Sequence, residues 1–193
     1  MPWSVVCIGV SWGGMTALEQ ILPALPAGFG LPVIIAQHRS GDVDTGLAEH
    51  LQRFCARPVR EAEDKLALGS VGVVLAPPGY HVLVNERCLE LSDETPVCRA
   101  RPSIDVLFES AADAFGARAV GLLLTGNSAD GAEGMKRLKA VGALTAVQDP
   151  ASAEAPRMPK EALARMTPDA VLGLHGIGPW MAALGRRPQT ARR

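Results

Sequence analysis

The chain is poor in aromatic residues: four Phe, three Trp and one Tyr, or 4% of 193 residues. That leaves little material for a platform on which the bases of a single strand stack. Charge of one sign is also lacking, with 19 Lys and Arg against 20 Asp and Glu and a net charge of −1. A broad nucleic-acid or membrane-surface footprint is excluded with it. No apolar run reaches membrane-spanning length, and no charged-then-apolar secretion signal opens the chain. Cys7, Cys55, Cys88 and Cys98 form no C-x-x-C pair and read as reduced, mostly buried thiols of a cytoplasmic protein. The four histidines show no ligand spacing and no glycine loop has the phosphate-binding form. Neither a metal nor an organic cofactor is therefore expected.

What is present is apolar material for one core. Hydrophobic residues make up 48% and charged residues 20%, and the length fits one domain. That domain is expected to span residues 1–185, with 186–193 a basic, fraying tail.

Val5-Val6-Cys7-Ile8-Gly9-Val10 is a β-branched apolar run, the pattern of a parallel strand covered on both faces. Ser11-Trp12-Gly13-Gly14 turns it into a helix expected over residues 15–25. Gly9-x-Ser11-x-Gly13 has the form of a nucleophile elbow, although a serine there also fits a helix cap. Further strands are expected at 31–38, 58–61, 71–76, 119–125, 144–148 and 170–174, and helices at 45–54, from the cap Ser103, at 132–141 and at 160–165. Residues 39–44 read as a polar loop, and 80–91 alternate like a hairpin turning near residue 85. The fold class is thus α/β: a doubly wound, mainly parallel sheet with helices on both faces and one antiparallel hairpin.

Ser11, His38 and Asp130 each follow a strongly apolar strand. The carboxyl ends of parallel strands share one edge, so the three can meet there. An imidazole that takes the serine proton, held by a carboxylate, makes a nucleophile of the hydroxyl. His50 and His81 fall in a helix and in the hairpin. His175 competes with His38 for the base, and Asp130 can equally cap a helix.

Several longer motifs resemble one family, the chemotaxis protein-glutamate methylesterases (CheB). Ile8 to Gly14 looks like its nucleophile motif, Ala36-Gln37-His38 its histidine segment, and Leu124 to Met135 its aspartate loop. Ala76-Pro77-Pro78-Gly79-Tyr80-His81, Arg101-Pro102-Ser103-Ile104-Asp105 and Met158-Pro159 fit further signatures. The resemblance implies Ser11 as nucleophile, His38 as base and acid, Asp130 as its orienting carboxylate, and an oxyanion held by the backbone N–H of Asn127, with that of Trp12 beside it. It implies hydrolysis of glutamate γ-methyl esters, and deamidation of glutamines, on the cytoplasmic helices of chemoreceptors. Arg39, Arg99 and Arg101 are candidate cations for docking that acidic surface, or else ordinary solvated charges. Trp12 stands where the family usually has threonine, and the usual N-terminal receiver domain has no room before residue 5. A separate regulatory protein is an expected partner. Another carboxylesterase activity, or a non-catalytic signalling module, is the alternative.

Overall fold

The computed structural model describes residues 3–39, 46–70 and 72–185. Most of the polar loop expected at 39–44, Val71 of the expected fourth strand and the tail 186–193 lie outside them. In chain order the elements are β1 (Val5–Val10), α1 (Gly14–Ile21), β2 (Val33–Gln37), α2 (Leu47–Gln52), β3 (Val59–Glu61), β4 (Val73–Leu75), β5 (His81–Val84) and β6 (Leu89–Ser92). There follow α3 (Ile104–Phe115), β7 (Ala119–Leu123), α4 (Ala132–Ala140), β8 (Leu144–Gln148), α5 (Arg157–Arg165), β9 (Ala170–Leu172) and α6 (Leu174–Leu184).

Seven strands form one parallel sheet in the order β3-β4-β2-β1-β7-β8-β9. β5 and β6 pair antiparallel as a separate two-stranded sheet. The period-two alternation of side chains divides the core between two layers. Val5 and Cys7 of β1 face a layer built with α3, α4, α5 and the hairpin. Val6, Ile8 and Val10 face the other, built with α1, α2 and α6. All six residues of β1 are buried, which is why the run reads as continuous rather than alternating. Each large side chain so buried contributes about 1.5–3 kcal/mol.

Two differences from the sequence expectation matter. α5 begins at Arg157, three residues early, because Pro159 falls in the first helical turn where its missing N–H has no intrahelical partner to lose. A sixth helix, α6, covers a stretch for which no element was expected after residue 174. Gly176, Gly178 and Pro179 lower its propensity, but Ile177, Met181 and Leu184 bury against α1, and packing overrides propensity.

Gly9 shows how the layers set up the edge. A Cβ there would run into Ile104 and Phe108, so only glycine lets the start of α3 close on β1.

Candidate active site

The three central strands each release one of the expected residues at the same edge. Ser11 follows β1, His38 follows β2, and Asp130 lies in the loop after β7. β1 lies between β2 and β7 in the sheet, so serine is flanked by the histidine on one side and the aspartate loop on the other.

Ser11 is fixed by its backbone. Its N–H donates to Thr125 O at 2.9 Å, and Gly14 N–H donates back to Ser11 O at 2.9 Å. Thr125 Oγ1 donates to Trp12 O at 2.9 Å and accepts from Ala155 N–H at 2.9 Å. Gln37 Nε2 bridges the two strand ends, donating at 3.0 Å to both Ser11 O and His38 O. Trp12 itself is 68% exposed. Among the described residues neither the Trp12 N–H nor the Asn127 N–H donates to another atom. An oxyanion hole needs backbone donors left open in this way.

His38 Nε2 lies 2.7 Å from Asp130 Oδ2. Parallel strands run about 4.8 Å apart. His38 N–H also donates to Val10 O at 3.0 Å, so its backbone sits directly beside that of Ser11. With Nε2 held by Asp130, Nδ1 is the ring nitrogen left without a hydrogen-bond partner among the described residues. Among the described residues no hydrogen bond joins Ser11 Oγ to His38; such contacts commonly tighten only with substrate.

Asp130 is fully buried. Burial alone would raise its pKa. Hydrogen bonds from His38 and from the N–H groups of Ile104 (2.7 Å) and Asp105 (3.0 Å) outweigh it, and the carboxyl is held below its ordinary value. Ser103 Oγ adds a fourth donor at 2.8 Å. These donors are the first turn and cap of α3, so the positive end of that helix also favours the anion.

Ser103 is held in turn. Its N–H donates to His81 Nδ1 at 3.1 Å, and His81 Nε2 donates to Thr95 O at 3.2 Å. His81 is 2% exposed, and the two bonds fix it as the neutral Nε2–H tautomer. Sequence reasoning set His81 aside with the hairpin; the only available signal was its place in the Ala76 to His81 motif. Asp105, buried beside Asp130, accepts from Gly134 N–H at 2.7 Å. Burial is the main reason its carboxyl is raised to about 6, with the Asp130 charge adding to it. Cys98 Sγ stands 3.7 Å from Asp105 Oδ2. Ligand atoms of Cys98, Asp105 and Asp130 lie within 4.8 Å of one another. The Asp130 oxygens are already taken up by four donors, so this cluster is best described as support for His38.

The arginines separate. Arg39 does not stand free at the rim: its side chain is 5% exposed and Nη1 is ion-paired to Glu61, at the end of edge strand β3. Arg101 Nη1 donates to Asp93 O at 2.6 Å and Glu94 O at 3.1 Å, tying down its own segment. Arg99 is exposed, in a tight turn with φ of 63°. Of the histidines left over, His50 pairs with Glu19 at 2.6 Å and His175 is exposed at the start of α6.

Comparison with known proteins returns one family. The family profile described as CheB methylesterase matches residues 6–181. A relative from Leptospira interrogans is 40% identical over 178 residues, covering 92% of each chain. A Rhodospirillum rubrum protein named protein-glutamate methylesterase/protein-glutamine glutaminase 2 is 37% identical; the match covers 95% of this chain and 52% of that one. The crystal structure of the Thermotoga maritima CheB methylesterase catalytic domain superposes with a TM-score of 0.88 at 28% identity, covering 94% of this chain and 98% of that one.

Proposed function

The chain belongs to the CheB methylesterase family, and from that premise we propose that it is a cytoplasmic serine hydrolase of protein glutamate γ-methyl esters, working through Ser11, His38 and Asp130. The observation that carries this is the 2.7 Å contact between His38 Nε2 and the buried Asp130 carboxylate, one strand away from Ser11.

In the first half-reaction Ser11 Oγ attacks the ester carbonyl while His38 Nδ1 takes its proton. Asp130, kept anionic by its donors, stabilises the imidazolium through Nε2. The carbonyl oxygen becomes an oxyanion, which the N–H groups of Trp12 and Asn127 receive. One such donor is worth about 3 kcal/mol in the transition state. The tetrahedral intermediate expels methoxide, which takes the His38 proton and leaves as methanol, with the glutamyl group on Ser11. Water then attacks with His38 as base, and glutamate and the serine hydroxyl are released. A glutamine amide follows the same route with ammonia as the leaving group.

The relatives' printed names include both methylesterase and glutaminase activities, and the family match supports methylated chemoreceptor helices as the substrate. No helix among the described residues is long and apolar enough to cross a membrane, consistent with a water-soluble enzyme acting on the cytoplasmic part of a receptor. A general carboxylesterase is the second reading, favoured by the exposed indole of Trp12 at the mouth. The test is labelling of Ser11 by a fluorophosphonate, together with methanol release from methylated receptor membranes. Labelling lost in Ser11→Ala and methanol release by wild type support the proposal. Labelling without methanol release would leave the general esterase as the better account.

A further inference from the structure

The start of α5 forms a wall of the candidate site. Gly126 N–H donates to Ala155 O, and Met158 N–H donates to Gly126 O, both at 2.9 Å. A Cβ on Gly126 would strike Met158 Sδ and lie 2.8 Å from Ser11 Cβ, so helix, loop and serine are in close contact. Beside this junction runs a cleft of about 480 Å³ lined by Asn127, Pro156, Arg157, Lys160, Glu161 and Ala164.

Four of those residues lie on α5 at positions i, i+3, i+4 and i+7. That spacing is one face of a helix, the face by which helices pack on one another. The face begins at the oxyanion loop and ends at a small residue, Ala164, which allows close approach. Its charge is uneven. Glu161 is engaged by Arg165 at 2.5 Å and by Arg157 at 3.9 Å. Lys160 is exposed and has no carboxylate partner among the described residues. The cleft therefore offers a cation, Lys160, with Arg157 one turn nearer the serine.

We infer that this face of α5 is the docking groove for the substrate helix, and that Lys160 and Arg157 select acidic residues placed one turn from the methylated glutamate. The inference rests on the function proposed above and adds where the substrate lies and what it must carry. A helix laid along α5 meets the stripe at matching three- and four-residue intervals, whereas an extended peptide does not. Carboxylates at those intervals reach Lys160 and Arg157 while the ester enters at Ser11. Rim cations of this kind set register and encounter rate more than tightness. Of the docking candidates Arg39, Arg99 and Arg101, Arg39 is buried in an ion pair, whereas Lys160 of α5 is exposed.

The experiment uses a helical peptide with one glutamate γ-methyl ester and glutamates three and four residues away, a second with glutamines there, and a third with lysines. Binding is read by fluorescence polarisation on Ser11→Ala protein, which leaves the ester intact. We expect the acidic peptide to bind about three- to tenfold tighter than the glutamine peptide, with the margin shrinking in salt. Lys160→Glu should remove that preference and transfer it to the lysine peptide. The ratio of kcat/KM for the acidic peptide to that for p-nitrophenyl acetate should fall alongside. No preference among the three peptides, or a preference unmoved by Lys160→Glu, overturns the inference. If the Ser11-intact protein cleaves p-nitrophenyl acetate and none of the peptides, the proposed function fails instead, and the binding series still decides the groove.

Discussion

The two edges of the sheet carry hollows of similar scale and opposite character. At the amino ends of the strands, a cavity of about 420 Å³ is lined by Ser4, Pro32, Arg57, Glu86, Phe115 and Arg118 among others. Its charges are satisfied: Arg57 donates to Leu31 O at 2.6 Å, and Arg118 pairs with Glu86. At the carboxyl ends the hollow beside Gly13, Thr125 and Glu154 is smaller, about 260 Å³. Outside that hollow, at the same edge, an anion is buried with an imidazole held against it, and among the described residues the N–H groups of Trp12 and Asn127 have no hydrogen-bond acceptor. Volume does not mark the site, since this same edge also carries the cleft of about 480 Å³ beside α5. What marks it is polarity held ready and left incomplete, which costs stability and is kept only where it is used.

The strongest way to break this contrast is Asp130→Asn. An amide offers one acceptor oxygen where four donors converge, and it cannot stabilise an imidazolium. We expect kcat on a small ester to drop about 10³- to 10⁴-fold with the fold intact by circular dichroism. A loss below tenfold would remove Asp130 from the mechanism.

His81→Phe probes the support behind it. With the Ser103 N–H left without its acceptor, the cap of α3 loosens and Asp130 shifts with it. A misplacement on the order of 1 Å costs up to about 10²-fold, so we expect a ten- to a hundredfold fall in kcat with KM little changed. His81→Asn, whose side-chain oxygen can accept the same N–H, should recover part of it. Equal effects on kcat in both variants would mean that His81 is only core.

Asp105→Asn sharpens the contrast in stability. A carboxyl raised to about 6 keeps its proton in the folded chain after the unfolded chain, near 4, has lost it. Folded wild type therefore loses relative stability as pH climbs from about 4 to about 6, and no more above that. The asparagine variant still accepts from Gly134 N–H and escapes this loss. Urea unfolding should show it gaining about 1–2 kcal/mol on wild type between pH 4 and pH 7.5. A constant difference across that range would refute the raised carboxyl.

At the opposite edge the expected effects are smallest. Arg118→Ala breaks a pair whose side chains are half exposed or more, so it should cost less than about 1 kcal/mol by urea unfolding and leave the kcat on a small ester alone. A drop in kcat would show that the cavity there is coupled to the site.

The same division explains what the sequence disclosed. β1 and β7 were legible because central parallel strands are buried on both faces and leave a continuous apolar run. Ser11, His38 and Asp130 could be singled out as candidates because each stands just past such a run. The burial of Arg39 could not be seen in the sequence because its partner, Glu61, ends a short edge strand two places away in the sheet, and no local pattern joins them. His81 was passed over for the same reason: its bond to Ser103 spans 22 positions. α6 was missed because two glycines and a proline speak locally against a helix that tertiary packing makes.

Trp12 gives the molecule a spectroscopic handle. Of the three indoles, Trp3 and Trp180 are partly buried against the core, while Trp12 stands two-thirds in solvent, one residue beyond the serine. Acrylamide or iodide reaches it first, so the quenchable fraction of the emission comes mainly from the mouth of the site. Whatever settles over Trp12 shields that indole, and the protein's own fluorescence reports the event without a label.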